Sequence, residues 1–527
     1  MNHLQMTETT AFFNVPRGTA YITAQQLVIY ASSFVYYVIL IRILNLSQIG
    51  EVSLLAATSA GFTTITQLAL PLAATRFISA SIGSRNPSTA GAVARTSLRL
   101  VTTIALAVLV LSVLASPFIA STVFKDSNAT SFLVVAFAAS FLLDLTALYG
   151  AYFLGLGRYA EMTYQNVLYH PLSRGFGLVL AYKGLGPLGI PAGWAIGAAA
   201  AFLLSTYLLK GKFPKANSFP ARTLLVFSLP LFASALVTLL QGWGDIALLQ
   251  AILGQFGTTG TYYLVVTSVS FLSILWTPVA GALYPALSSS YASDGPQGVS
   301  EKLGIAMRLI NITVLPTGIA LAAISPTALE AVYGPSLVAG TLPFAVLAIT
   351  IIFSAQSLLL ITTLQAIGKT KPILGISLAA TIIDLAAVAL GAGQLGTTAG
   401  AIGRALLASG MMMLGWWTLR RVLHVPLTQG LFNGALIAVL TAPLLTVIDY
   451  TLATNIHLTP LLRLPTLIVV YVVSFPIIAR QLSVFTEADF ELLRNALPQR
   501  LRHSLRAVER FLIRKRELQP HSGFVGS

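Results

Sequence analysis

The chain has 527 residues, of which 56% are apolar and only 9% charged, and its formal net charge is +15. Soluble domains of that length would lack the polar residues to cover their surfaces, so the composition excludes a water-soluble protein and makes lipid the expected solvent. The absence of cysteine excludes disulfides, thiolate metal sites and a cysteine nucleophile.

Apolar runs of about 20 residues, the length that crosses a ~30 Å hydrocarbon core, recur along the sequence. In chain order they predict helices over 20–40, 51–73, 98–120, 131–153, 164–182 and 187–209. A second six follow over 224–249, 261–284, 306–328, 341–364, 373–392 and 397–419, and two more over 430–451 and 462–479. The expected fold is therefore all-α and polytopic, with about fourteen transmembrane helices. Its parts are an N-terminal segment 1–19, an N-lobe 20–210, a linker 211–222, a C-lobe 223–422, two further helices within 430–480 and a tail 481–527. The helix over 164–182 is the least regular, because it carries His170, Pro171 and Arg174. The His-Pro pair reads either as a break in that helix or as a titrating switch.

The excess of positive charge follows the topology expected of a membrane protein, in which Lys and Arg stay in cytoplasmic loops. With the N-terminus inside, 25 basic residues fall on the cytoplasmic side, nine of them from Arg480 onward. Only Arg42, Lys125, Lys183 and Arg463 fall opposite, while Arg174 and Arg404 lie inside helices. Both termini are expected in the cytoplasm of a multi-pass plasma-membrane protein. The first 19 residues lack the short apolar core of a cleavable signal, so the first helix is expected to direct insertion.

A repeat of roughly 210 residues is legible within the chain. Leu188-Gly189-Ile190-Pro191-Ala192-Gly193 recurs as Leu395-Gly396-Thr397-Thr398-Ala399-Gly400, each followed by an Ile-Gly pair, Ile196-Gly197 and Ile402-Gly403. Leu156-Gly157-Arg158 corresponds to Ile367-Gly368-Lys369, Pro71 to Pro285, and Ile43-Leu44 with Gly50 to Ile252-Leu253 with Gly260. An ordered set of matches at one spacing marks a duplication. Six helices per half make the repeat parallel, a design that in transporters places the substrate between the halves.

The residues carrying a family likeness begin with Arg42-Ile43-Leu44, Gly50 and Thr75-Arg76-Phe77-Ile78. They continue with Leu229-Pro230, Asp245, Gly254, the run from Gly257 to Tyr263, Pro285-Ala286-Leu287-Ser288 and Tyr333-Gly334. In this order the chain, from residue 17 to about 480, resembles the polysaccharide flippases of the multidrug/oligosaccharidyl-lipid/polysaccharide exporter superfamily. The resemblance implies a transporter rather than an enzyme, flipping a polyprenyl-(di)phosphate-linked oligosaccharide from the inner to the outer leaflet. Multidrug exporters and the peptidoglycan-precursor flippase share that fold, so a cation-coupled drug exporter is the nearest competing reading.

Charges inside the bilayer cost at least ~2.5–3.5 kcal/mol each and point to partners, water or function. The chain has Asp144, Arg174, Asp245, Asp384 and Arg404, with Arg42 and Arg76 close to helix ends. The repeat sets Arg174 and Asp384 at nearly equivalent places, and Arg42 and Asp245 at the outer ends of equivalent helices. In one reading Arg174, Arg404, Arg42 and Arg76 bind a diphosphate, for which the planar guanidinium fork is suited. Asp384, Asp144 and Asp245 would then take up a coupling H+ or Na+. In the other reading these are buried ion pairs that fix helix register, or side chains reaching for an interface.

Beyond Thr486 the sequence becomes polar. Leu501, Leu505, Val508 and Leu512 recur at helical spacing among seven Arg and Lys residues, as in an amphipathic helix on an anionic inner leaflet. A solvated basic tail is the plainer reading, and nucleic acid is not an expected partner. A membrane glycosyltransferase would need a base or paired carboxylates at the membrane surface. Glu51, Asp126, Glu330 and Asp449 are instead scattered singly in the outer loops. No phosphate-cradling glycine loop is present and no cofactor or metal site is expected, while a non-transporting scaffold is the third reading.

Overall fold

The computed structural model of the protein describes residues 15–214, 218–487, 489–490 and 508–513. Among these the regular structure is helical throughout. The helices are α1 (Val15–Ile43), α2 (Leu46–Gln67), α3 (Leu70–Gly83), α4 (Pro87–Ile119), α5 (Ala129–Gly155) and α6 (Tyr159–Leu180). There follow α7 (Gly189–Leu209), α8 (Ala221–Leu239), α9 (Asp245–Leu253), α10 (Phe256–Ser270), α11 (Thr277–Ser293) and α12 (Gly295–Ala323). The last are α13 (Ser325–Tyr333), α14 (Thr341–Ala366), α15 (Lys371–Leu395), α16 (Thr397–Leu419), α17 (Leu431–Thr454) and α18 (Pro460–Gln481). Most of the tail expected to form an amphipathic helix lies outside the described residues.

Local chemistry sets the ends of these elements. Asn45 caps α2 by accepting from the Gln48 amide at 2.9 Å, while the Gln48 side chain accepts from the Asn45 amide at 3.1 Å, a reciprocal capping box. Gly157 and Gly368, paired by the sequence repeat, both take left-handed backbone angles, φ +69° and +75°. Around each the same bonds close the helix, Arg158 N–H to Phe153 O and Lys369 N–H to Leu364 O, both 2.8 Å. This glycine-dependent helix ending explains why the residue recurs.

By length and composition, eleven described helical stretches can cross a membrane, or twelve if the pair α2 and α3, bent by 44°, is one span. The expected count was fourteen. Two places account for much of the difference. The expected fifth and sixth helices fall in one stretch, Tyr159–Leu209, of 51 residues. If straight it would run ~75 Å, far beyond a ~30 Å core. It turns back on itself instead, with Gly184 at φ +107° in the bend. A Cβ on Gly193 would meet the Gly177 amide nitrogen at 2.3 Å, and one on Gly197 would meet Ser173 Cβ at 2.6 Å, so α6 and α7 form a close antiparallel hairpin. The second place is α16, which carries Arg404 and is absent from the eleven. The helix α6 runs through Pro171 without the break expected at the His-Pro pair. Inside protein a proline's lost bond can be compensated by neighbouring groups.

The chain forms two compact units. One comprises the described residues up to Phe271 together with Pro335–Pro343 and Ser377–Arg404. Its core includes Leu70, Ile78, Val93, Val101, Leu148, Tyr152 and Leu224 from α3, α4, α5 and α8. A second cluster joins Leu54, Phe62, Phe124, Leu133 and Phe137. Here α2 and α10 lie backbone to backbone, since a Cβ on Gly260 would stand 2.1 Å from Leu46 O and one on Gly50 would stand 2.0 Å from Phe256 O. These are two of the glycines that the repeat pairs.

The other unit comprises Leu272–Gly334, Phe344–Ile376 and the described residues from Ala405 onward. Its axis is α12, whose buried Asn311 donates to Leu427 O and Gln429 O, both at 2.9 Å, and accepts from Gln356 at 2.6 Å. Gly434 lets α17 pack directly on Asn311 O. Outside α12, Arg463 pairs with Asp449 at 3.1 Å, and Asp449 also accepts from Thr327 at 2.6 Å, tying α18 and α17 to α13.

The glycine contacts make a direct test. Gly193→Ala forces a methyl into the α6–α7 backbone contact and should cost about 1–3 kcal/mol, read as a lower melting temperature of the purified protein. Gly175→Ala, where a Cβ meets nothing within 4 Å, should be neutral or slightly stabilising. Equal melting temperatures for the two variants would contradict the hairpin.

Candidate functional site

The first unit gathers most of the charged residues singled out by sequence. A π-helical turn, Leu240–Gly244, leads into α9 and delivers the first residue of that helix, Asp245, into the interior with no exposed surface. Arg404 of α16 grips it with two bonds, Nε to Oδ2 at 2.5 Å and Nη2 to Oδ1 at 2.9 Å, and Nη2 also donates to Gly242 O at 3.0 Å. The Tyr262 hydroxyl of α10 donates to Oδ2 at 2.5 Å and the Ile246 amide to Oδ1 at 2.9 Å. Four donors thus meet the roughly four lone-pair directions of a carboxylate, which is how a buried charge is kept.

Small residues allow this approach. One turn before Arg404, Gly400 leaves room for the Tyr262 ring, since a Cβ there would come within 2.6 Å of ring carbon Cζ. Gly403 leaves room for Asp384 of α15, whose Oδ1 would lie 2.4 Å from an added Cβ. Both are glycines of the repeated sequence, and Gly403 faces Asp384 as Gly197 faces Ser173 in the α6–α7 hairpin. Asp384 is fully buried, and among the described residues neither of its oxygens has a hydrogen-bond partner. Asp245 and Arg404 are close enough to act on it electrostatically.

On the other side of α10 the environment changes. Arg174 of α6 donates to Ile29 O at 3.2 Å and to Ser32 Oγ at 2.6 Å, both on α1. Among the described residues it makes no ion pair and lies over no aromatic ring. Tyr36, Tyr37, Tyr169 and Tyr263 are within electrostatic reach of its guanidinium. The Tyr37 and Tyr263 hydroxyls share a 2.8 Å hydrogen bond, and the Trp243 indole stacks on the Tyr263 ring with centroids 6.1 Å apart. Adjacent residues of α10 therefore serve two environments, Tyr262 the Asp245–Arg404 pair and Tyr263 the Arg174 cluster.

The remaining candidates stand elsewhere. Asp144 of α5 is fully buried and accepts from Thr66 Oγ1 at 2.5 Å and Gln67 Nε2 at 2.9 Å, the last two residues of α2. It is joined to no cation among the described residues. Arg42 is exposed in the last turn of α1 and is not paired with Asp245. Arg76 is exposed and lies over the Phe227 ring at 4.2 Å. Sequence reasoning did not single out Tyr37, Trp243, Tyr262 or Tyr263 as site residues. The available signal was two adjacent tyrosines, Tyr262 and Tyr263, within one membrane-spanning stretch. Among the described residues no three His, Asp or Glu side chains converge as a metal site would require.

This helical architecture is that of a class of membrane transporters. The chain superposes on an inward-facing multidrug resistance MATE family transporter of the MOP superfamily, with a TM-score of 0.63 at 14% identity, covering 80% of this chain and 98% of that one. It superposes on the lipid II flippase MurJ in an inward closed conformation with a TM-score of 0.66 at 13% identity, covering 87% and 99%. A eukaryotic MATE transporter, AtDTX14, gives 0.57 at 15% identity, covering 81% and 99%. These likenesses establish the fold. Residues 15–291 match the family described as polysaccharide biosynthesis protein, and the chain belongs to that family. No curated protein matches the sequence.

The Asp245–Arg404 pair predicts an asymmetric mutational response. Asp245→Ala strands a buried guanidinium and should destabilise the protein by about 3–5 kcal/mol, whereas the double variant Asp245→Leu/Arg404→Met should be less destabilised than the single one. Thermal unfolding of the variants in detergent checks this, and additive losses would refute the pairing.

Proposed function

We propose that the chain is an alternating-access flippase that carries a polyprenyl-(di)phosphate-linked oligosaccharide from the inner to the outer leaflet of the plasma membrane for surface-polysaccharide assembly. Membership of the polysaccharide biosynthesis family supports the cargo, and the MATE-like and MurJ-like fold supports the mode of transport. In this reading the lobes 20–210 and 223–422 move against one another, both termini are cytoplasmic, and the basic tail rests on anionic lipids.

The observation that carries the reading is Arg174. It is a permanent cation in a membrane-spanning helix, held by a carbonyl and a hydroxyl, and among the described residues no carboxylate pairs with it. An unneutralised guanidinium favours an anionic ligand, and its remaining N–H groups fit phosphate oxygens. Arg404 is differently placed, because its Nε and Nη2 are committed to Asp245, so it acts as a positioning residue. Of the expected diphosphate ligands, Arg174 is the one we retain.

Asp384 and Asp144 supply the coupling ion site in this reading. A buried carboxylate with no cation of its own is neutralised most readily by a proton or a sodium ion. That feature would serve a cation-coupled multidrug exporter equally well, so it is the anion-seeking Arg174 that favours a phosphorylated lipid.

In vesicles loaded with a labelled lipid-linked saccharide, Arg174→Ala should slow flipping at least about tenfold, the loss of one or two charge-assisted hydrogen bonds. Arg174→Lys should fall between, and an imposed proton or sodium gradient should alter the rate in the wild type but not in Asp384→Asn. Normal flipping by Arg174→Ala at normal protein levels would refute the assignment.

A further inference from the structure

Next to Arg174 the same unit presents an aromatic surface that binding a phosphate does not require. Tyr37 and Trp243 are half-buried beside the nearly buried Tyr263, and Tyr30 lies two turns earlier on α1. Trp243 stacks one face of its indole on Tyr263, with centroids 6.1 Å apart, whereas the other rings meet edge-on. Tyr37 is T-shaped to Tyr263 at 5.9 Å and to Phe271 at 6.4 Å, and Tyr30 is T-shaped to Phe271 at 6.4 Å. Arg174 covers none of their faces. Trp243 is also placed unusually. It sits within the π-helical turn Leu240–Gly244, between Gly242, which is exposed and has open space around its Cα, and Gly244. A π turn is a departure from regular helix found frequently at functional sites.

From this juxtaposition we infer a sugar-ring subsite, in which the first pyranose of the cargo stacks on the Trp243 indole and hydrogen-bonds to the Tyr37 hydroxyl while Arg174 holds the adjoining diphosphate. The inference rests on the flippase reading and adds to it the recognition of the glycan itself. In a polyprenyl-diphosphate sugar the first ring is bonded directly to the phosphate, so a phosphate-binding cation and a ring-binding surface must be neighbours. A pyranose has an apolar C–H face rimmed by hydroxyls. Its match is a flat aromatic face bordered by groups that both donate and accept hydrogen bonds, which indole and phenol provide. Tyrosine hydroxyls beside Arg174 meet the second requirement, where a purely lipid-facing aromatic layer would need neither them nor an arginine.

The test measures binding by the purified full-length protein of two probes, a polyprenyl diphosphate and the same lipid bearing one hexose. The wild type should bind the hexose-bearing lipid more tightly, by up to about tenfold, the scale of one aromatic stacking contact. Trp243→Ala should bind the two probes equally, Trp243→Phe should keep part of the difference, and Arg174→Ala should weaken both probes together and leave their ratio unchanged. A wild type that binds both probes equally would overturn the subsite while leaving the flippase reading intact. A wild type that binds neither would overturn both. A Trp243→Ala variant that keeps the full preference with an unchanged melting temperature would assign the sugar to other residues and overturn the inference.

Discussion

An ionised carboxylate inside an apolar span must be neutralised where it stands, and Asp245 meets that constraint with Arg404. The pair joins residues 159 positions apart and draws α9, α10 and α16 into one register. Much of the surrounding detail follows from it. The π turn before α9 aims the carboxylate inward, Tyr262 supplies a further donor, and the glycines Gly400 and Gly403 remove side chains that would hold α16 away. Once Arg404 is committed to Asp245, Asp384 remains as a second buried carboxylate with no donor among the described residues. The unit therefore holds one fully buried carboxylate matched to an arginine and two more, Asp384 and Asp144, that are paired with no cation among the described residues.

The same accounting separates the two intramembrane arginines. Sequence alone treats Arg174 and Arg404 alike, as rare cations in apolar helices. Among the described residues one is matched to a carboxylate and the other is not, and the unmatched one stands within electrostatic reach of four tyrosines, one of which, Tyr263, carries the Trp243 indole stacked on it. This contrast separates what the fold leaves joined, because the same architecture occurs in a multidrug resistance transporter and in a lipid II flippase.

Much of the fold was legible in the sequence because membrane insertion leaves few options. Long apolar runs had to be helices, and the repeated glycines stand at close approaches, Gly193 and Gly197 against the backbone of α6 and Gly400 and Gly403 against the Tyr262 ring and the Asp384 carboxylate. Gly157 and Gly368 were readable as helix ends for the same kind of reason, a backbone angle that side chains resist. Breaks within spans were less legible. Leu68 and Ala69, at φ +46° and +57°, divide α2 from α3 without a glycine, and nothing in their side chains announces it. Partners were the least legible. Arg42 and Asp245 looked matched by their places in the repeat, yet Asp245 chose an arginine on α16, a contact that depends on how helices pack in three dimensions. The tyrosines and Trp243 carry little site signal in the sequence because aromatic residues are ordinary in membrane helices; Tyr262 is distinguished only by its bond to Asp245, Tyr37 and Tyr263 by their reach to Arg174, and Trp243 by stacking on Tyr263.

The central claim is that an anionic, glycan-bearing lipid is the cargo. Its most direct measurement is a two-substrate transport assay on the purified protein in sealed vesicles. One arm follows the transbilayer movement of a fluorescent polyprenyl-diphosphate oligosaccharide, and the other the gradient-driven uptake of a lipophilic cationic dye. The account predicts protein-dependent movement of the saccharide lipid and no uptake of the dye. Uptake of the dye with no movement of the saccharide lipid would contradict it and favour a multidrug exporter.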